Sequence, residues 1–348
     1  MKPSLPTVAD IAAYDEIIDV RSPGEFAEDH IPGAINCPVL DDEERARVGT
    51  LYKQVSPFEA KKLGAALISA NIARHLEARF LERPKTWRPL IYCWRGGMRS
   101  GAMTTVFRSI GWSAGQLDGG YKAWRRHVID ELEHLPAQFS FKVICGATGS
   151  GKTRILQAIG ARGEQILDLE TLASHKGSVL GILPDQPQPT QKWFETCLLQ
   201  ALEQLDPARP VYVEAESRKV GNLHVPERLM QQIRAGACLQ IDATLPARVA
   251  FLLEDYDYFL SRQPLLQRRL RALQGLQSND NLQRWNDYVE QGQWPALVQE
   301  LLELHYDPLY HRSQWHNYVG IGEAQRFASD SLDPAHIDRI AAAMIAAG

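Results

Sequence analysis

Long apolar runs are missing from this 348-residue sequence. No stretch approaches the roughly 20 consecutive apolar residues that a helical membrane span needs. The amino terminus, MKPSLPTVADIAAYDE, has neither the basic start nor the apolar core of a secretion signal. Cysteine is scarce: five residues, at 37, 93, 145, 197 and 238, are scattered without the spacing of a disulfide framework. An excess of positive charge is lacking as well. A net charge of −4 excludes a surface that is basic all over, so any nucleic acid must be held by local patches. These absences lead us to expect a soluble protein of the reducing cytoplasm with no membrane partner.

What is there suits globular α/β structure. Hydrophobic residues make up 45% and charged residues 23%, and the length is right for two domains that each bury a core. Short apolar runs, IIDVR (17–21), AINCPV (34–39) and PLIYCW (89–94), alternate with helical periods over residues 58–82 and from about Ser100. That alternation predicts a parallel sheet. After YKAWRRHVIDELEH comes a short LPAQ linker, and FSFKVICG opens a second strand-loop-helix unit. We therefore expect a first domain over 1–134 and a second over 139–348. In the second, EQILDLE, PVYVEAES and CLQIDAT read as strands, and the chain from about residue 246 reads as mostly helical.

Two loops carry chemistry. In LIYCWRGGMRSG, residues 90–101, an apolar strand ends at Cys93 and breaks into a glycine-rich turn before a helix. Converging backbone N–H groups and a helix amino terminus favour a thiolate, the nucleophilic form. Arg95 and Arg99 are candidate anion-binding forks, and Gly96 and Gly97 let the turn curl. The other four cysteines lie in apolar runs or on a helix, and inert packing is the reading for them. The second loop, GATGSGKT at 146–153, fits G-x-x-x-x-G-K-[ST] between a strand and a helix. Gly146, Gly149 and Gly151 permit close backbone approach to a phosphate, Lys152 reaches its outer oxygens, and the Thr153 hydroxyl can hold a metal. The acidic partner is open: Asp168, Glu170, Glu214 and Glu216 all stand near strand ends. A phosphate cradle follows from the motif, and the identity of the phosphate does not.

The segments IIDVRSPGEFAEDHIPGAINCPV, the Cys93 loop and LDGGYKAW resemble the successive signatures of the rhodanese family and span most of residues 10–130. That resemblance implies a fold with sulfur or selenium carried on Cys93, with Asp19 and Arg21 on an early strand and His30 before the turn at Pro32 and Gly33. We read Asp19, Arg21 and His30 as shaping the fold. The loop from Cys93 to Arg99 is one residue longer than in common rhodaneses, as in rhodanese-like phosphatases. Either the loop is a phosphatase or its donor substrate carries a phosphate.

The order of a rhodanese domain and a P-loop NTPase-like domain, with LETLASHKGS (169–178) and YVEAESRKVGN (212–222), resembles the tRNA 2-selenouridine synthase family along nearly the whole chain. The resemblance implies a transferase acting on tRNA that carries 2-thiouridine at the wobble position. Geranyl diphosphate would first alkylate the sulfur, and selenium from selenophosphate would then displace the S-geranyl group. Cys93 would carry selenium as an S-selanylcysteine, with Arg95, Gly96, Gly97 and Arg99 around it. Gly151, Lys152 and Thr153 would hold the diphosphate. No tightly bound cofactor is expected; the need for Mg²⁺, and a selenophosphate-supplying partner enzyme, are open. His175, Lys176 and Arg218, in the signature-like segments, are further active-site candidates beside Asp168, Glu214 and Glu216. The stretch SRQPLLQRRLRALQGLQSN offers Arg262, Arg268, Arg269 and Arg271 without an acidic residue, a candidate stripe for the RNA backbone. The rival readings are a sulfurtransferase or phosphatase joined to a small-molecule kinase, and a nucleotide-sensing scaffold without catalysis.

Overall fold

The computed structural model describes residues 4–178, 180–310, 312 and 318–347. The chain divides into two compact units, Met1–Glu131 with Glu195–Cys197, and Leu132–Phe194 with Leu198–Gly348. The helix Gly120–His134 runs through the position where they separate, and LPAQ forms a 3₁₀ turn, Leu135–Gln138, rather than an extended linker.

The first unit is built on four parallel strands: β1 (Glu16–Asp19), β2 (Ile35–Asn36), β3 (Pro89–Tyr92) and β4 (Gly115–Gln116), in the order β2-β1-β3-β4. Parallel strands covered on both faces read as continuous apolar runs, and all four residues of β3 are buried. The sequence runs overstate strand length, because AINCPV pairs only through Ile35 and Asn36. The helix Pro57–His75 starts where Ser56 accepts hydrogen bonds from the Phe58 and Glu59 N–H groups and Pro57 occupies the first turn. An aromatic cluster closes the core. Trp87 meets Trp112 edge-on at 5.0 Å, and Phe107 meets Phe80 edge-on at 5.3 Å, where each ring's edge faces another's electron-rich face. Below it, Arg21 is buried against Asp19 at 2.6 Å and donates to the Asp29 carbonyl, so this pair fixes the first strand-helix turn. His30 stacks on Phe26 and bonds its carbonyl oxygen through Nδ1. These contacts are structural, as expected for the rhodanese-like residues.

The second unit carries a five-stranded parallel sheet from β5 (Phe141–Gly146), β6 (Gln165–Leu167), β7 (Val211–Glu214), β10 (Ala237–Ala243) and β11 (Gln325–Ser329), in the order β11-β10-β5-β7-β6. A small antiparallel hairpin of β8 (Lys219–Val220) and β9 (Leu223–His224) follows β7. β5 stands at the centre, so the chain leaves it to one side for β6 and β7 and to the other for β10. Ligands of such sheets bind at the carboxyl ends of the strands where the winding reverses. Strand β11 is missed by sequence patterning: QRFAS lies at the edge of the sheet with only Ser329 buried, so it has no apolar period to read. The terminal helix Pro334–Ala346 packs Ile337, Ile340 and Met344 onto Ile155 and Ile159 of the helix that follows the glycine loop. Between β10 and β11 lie the helices Leu245–Asp255, Gln263–Arg271, Asn279–Gln291 and Trp294–Leu301. The last three share a separate core of Leu266, Leu270, Trp285, Val289, Leu297 and Leu301.

Candidate functional site

In the first unit, Cys93 ends β3 with 3% of its surface exposed. The Gly97 N–H donates to its Sγ at 3.3 Å and the Ser100 hydroxyl at 3.2 Å. Gln116 pins the turn by donating to the Gly96 and Gly97 carbonyls, at 2.6 and 3.1 Å. Gly120 closes the back: its backbone has φ +57°, and a Cβ there would lie 2.2 Å from the Cys93 carbonyl oxygen, so no other residue fits without displacing the loop. Ser100 and Gln116 were missed by sequence reasoning, since neither position is distinguished until the loop is folded.

The two arginines depart from expectation. Arg99 does not face the thiol; it is forked onto Glu25 at 2.7 and 3.3 Å, and Glu25 also takes Arg45 at 3.0 Å. Burial alone would raise the Glu25 carboxyl, but Arg99 and Arg45 hold it below the usual range. Arg95 is exposed at the mouth of the loop. The immediate cradle of the sulfur is thus backbone and hydroxyl, with guanidinium charge outside it. Cys37 and Cys197 keep their inert reading, burial pushing both thiols up to about 11. Cys145 is raised by its contact with Cys238 and by burial.

In the second unit, the glycine loop lies at the end of β5 above a cleft of ≈ 730 Å³. Gly151 takes φ +76°, which turns the loop into the helix Lys152–Ala161. Lys152 Nζ donates to the Gly146 carbonyl at 3.0 Å. The Thr153 hydroxyl lies 3.0 Å from Glu170 and 3.2 Å from Glu214. Glu216 joins them: one carboxylate oxygen from each of Glu170, Glu214 and Glu216 lies within 4.8 Å of the others. Glu214 is buried, and its Oε1 has no hydrogen-bond partner. Lys176 also enters the cleft, paired with Asp255 at 2.5 Å and set 4.4 Å over the Tyr256 ring.

Burial and the mutual repulsion of the three carboxylates, only partly offset by Lys152, push Glu170 up to about 10 and Glu214 to about 8. Both groups titrate near 4.5 when free. The unfolded chain therefore releases these protons near pH 4.5 while the folded chain retains them, so the contribution is fully present below 4.5 and is lost as pH rises, to about 8 for Glu214 and on to about 10 for Glu170. In metal-free buffer the midpoint of thermal unfolding is expected to fall across that window. Glu214→Gln, which supplies a neutral group of the same shape, should flatten the decline and leave the protein more stable than wild type at pH 8.

Other candidates separate. Asp168 does not line the cleft; it accepts from the Thr171 N–H at 2.8 Å and caps the helix Leu169–Ala173, the ordinary use of an aspartate there. Arg218 is exposed and pairs with Glu227 at 2.9 Å. His175 is buried behind the cleft, where desolvation and the nearby Arg269 lower its pKa. On the helix Gln263–Arg271, Leu266 and Leu270 point inward as expected. Arg268 and Arg271 are exposed, whereas Arg269 is half-buried on the His175 side, and Arg262 is held by Asp185 at 2.8 Å.

The fold and these two loops define a class, a rhodanese-like unit joined to a P-loop unit. Residues 7–127 match the profile of the rhodanese-like domain, and residues 139–284 that of the tRNA 2-selenouridine synthase AAA domain. The chain is 33% identical over 337 residues to the tRNA 2-selenouridine synthase of Marinobacter nauticus and 31% over 342 residues to that of Bdellovibrio bacteriovorus, covering 84% of this chain and 87% of each relative. With the tRNA 2-selenouridine synthase of Nitrosomonas europaea it is 38% identical over 247 residues, 69% of this chain and 63% of that protein's length. The chain belongs to the tRNA 2-selenouridine synthase family. Among the described residues, no helix is long and apolar enough to cross a membrane.

Proposed function

We propose that this chain is a tRNA-modifying transferase that converts wobble 2-thiouridine to 2-selenouridine in two stages. In the first, the uridine sulfur attacks the terminal carbon of geranyl diphosphate, a C–S bond forms, and the C–O bond to the departing diphosphate breaks. In the second, the Cys93 thiolate attacks the selenium of selenophosphate and the Se–P bond breaks with phosphite leaving, which gives an S-selanylcysteine. Its terminal selenium attacks C2 of the S-geranylated uridine, the C–S bond breaks and geranyl thiolate departs. An external thiol then attacks Sγ of Cys93, releasing 2-selenouridine and a mixed disulfide that a second thiol reduces. The observation that carries this reading is the chemistry of the cleft, where Lys152 and the loop amides suit a diphosphate and the three carboxylates suit the divalent cation that would neutralise it. Stabilising charge as it develops on a leaving group is the largest lever such a site has. The donors around Cys93 support a sulfur or selenium carrier in the same way.

The carboxylates fit a divalent cation. Thr153, Glu170, Glu214 and Glu216 present oxygen atoms, the ligand type Mg²⁺ prefers, and the orphaned Glu214 oxygen faces no competing donor. Bound there, Mg²⁺ would neutralise diphosphate charge. Added Mg²⁺ should raise the unfolding temperature of the wild type, more at pH 8 than at pH 6 because the carboxyls must lose protons to bind it. Glu214→Gln should remove that increment; an increment retained in full counts against this placement.

The function is tested by incubating the protein with 2-thiouridine tRNA, geranyl diphosphate and selenophosphate, digesting the RNA and identifying nucleosides by mass spectrometry. S-geranyl and then seleno products are expected. Absence of both, with turnover of ATP or a phosphoester instead, would sink the proposal.

A further inference from the structure

The cleft above the glycine loop does not end at the carboxylates. Beside it, within the same unit, lies a partly open apolar slot of ≈ 70 Å³. Its walls are Leu252, Phe259, Leu266, Trp294, Leu297 and Leu301, contributed by the helical segment after β10 and backed by that segment's own core. Five residues, Thr148, Ser178, Leu252, Tyr256 and Tyr306, border both the slot and the cleft. Thr148 belongs to the glycine loop itself, so the two spaces adjoin at that loop.

An apolar cavity costs stability, because its lining atoms forgo packing partners, and a chain under no other demand fills it. Such a cavity also stays dry and accepts hydrocarbon readily. Here the wall is held firm on the side of the cleft, with Tyr256 under the Lys176 ammonium at 4.4 Å and Lys176 fixed by Asp255 at 2.5 Å. An anion cradle that adjoins a short hydrocarbon slot matches a diphosphate with an apolar tail.

We propose that this slot is the tail subsite of a prenyl diphosphate and sets the chain length the protein accepts. The inference rests on the geranyl transfer proposed above and adds to it where the tail lies and which residues select it. The diphosphate stays on the glycine loop, Thr148 marks the junction, and the tail runs between Leu252 and Leu297. Each methylene buried there contributes about fourfold in affinity, so a C10 diphosphate should bind far more tightly than inorganic pyrophosphate or a C5 diphosphate.

The test is calorimetric titration of the full chain, with Mg²⁺ present, using inorganic pyrophosphate and the C5, C10 and C15 prenyl diphosphates. Val298 is half-buried at the slot wall, so Val298→Phe fills the space without cutting into the core. It should weaken the C10 ligand at least tenfold while leaving pyrophosphate within twofold. Leu297→Ala enlarges the slot and should shift preference toward the C15 ligand. Pyrophosphate binding reports in each variant that the loop is intact. If the wild type prefers the C10 diphosphate but both variants bind it as the wild type does, the tail lies elsewhere and the slot assignment is overturned while prenyl transfer stands. If the wild type binds the C10 ligand no better than pyrophosphate, prenyl transfer itself falls. Loss of pyrophosphate together with the C10 ligand in both variants also counts against the assignment.

Discussion

Replacing Cys93 by serine is expected to abolish selenium incorporation, by a factor of at least ~10³, while tRNA S-geranylation continues near the wild-type rate. Serine is the informative replacement because it preserves the loop. Its hydroxyl can occupy the place of Sγ between the Gly97 N–H and the Ser100 hydroxyl, which lie 3.3 and 3.2 Å from the sulfur. The Gly120 backbone that closes against the Cys93 carbonyl is untouched. What is lost is only the soft, ionisable sulfur, the group able to carry selenium. Far-ultraviolet circular dichroism and the unfolding midpoint should match the wild type. Nucleoside mass spectrometry should show S-geranyl product and no seleno product from the variant. Selenium delivered by Cys93→Ser at more than a few per cent of the wild-type rate would show that another residue is the carrier.

That prediction was largely legible in the sequence, and the reasons are local. The cysteine turn and the glycine loop are contiguous motifs, each defined by a strand end, glycines and a following helix, so short-range physics fixes them. The donors that hold the thiol are near in sequence too, since Gly97 ends the turn and Ser100 lies in the first turn of the helix Met98–Ile110, but the role of Ser100 shows only in the folded loop. Charge placement was not legible. Arg99 has an obvious partner in a phosphate when read along the chain, but the fold brings Glu25 to it from 74 residues away. A preformed ion pair of this kind keeps the guanidinium oriented and leaves it to be recruited only by a stronger anion.

The second site shows the same division. Lys152 and Thr153 follow from the motif, whereas the assembly of Glu170, Glu214 and Glu216 joins residues after β6 and β7, two strands separated by a long excursion through the helix Gln191–Glu203. Asp168 had an equal claim by position. A cap requires only one N–H three residues on, and the start of a helix at Leu169 decides the matter against it. The half-burial of Arg269 was not legible for a different reason. A basic run on a helix cannot all face outward, and the 3.6-residue period that buries Leu266 and Leu270 turns Arg269 toward His175. The apolar slot was invisible because its walls come from separate helices, and leucines lining a cavity are indistinguishable in sequence from leucines filling a core.

Lys152→Ala is expected to lower the rate of geranylation by about 10²–10³, the range for removing one charge-assisted donor to an oxyanion from a preorganised site. Two effects add. Lys152 is the cation that the glycine loop itself supplies to the cleft, and the Gly146 carbonyl holds its ammonium in place at 3.0 Å. It is also the group that opposes the rise of the neighbouring carboxyls, so its removal leaves Glu170, Glu214 and Glu216 protonated to higher pH. A divalent cation must then displace protons that are harder to remove. The variant should therefore need both more Mg²⁺ and a higher pH to reach its own maximal rate, a shift that a merely folding-defective protein would not show. Selenium transfer to tRNA that already carries the S-geranyl group bypasses the diphosphate and should proceed normally. Wild-type geranylation by Lys152→Ala, or an equal loss of both half-reactions, would remove the glycine loop from the first stage and leave the cleft without its proposed ligand.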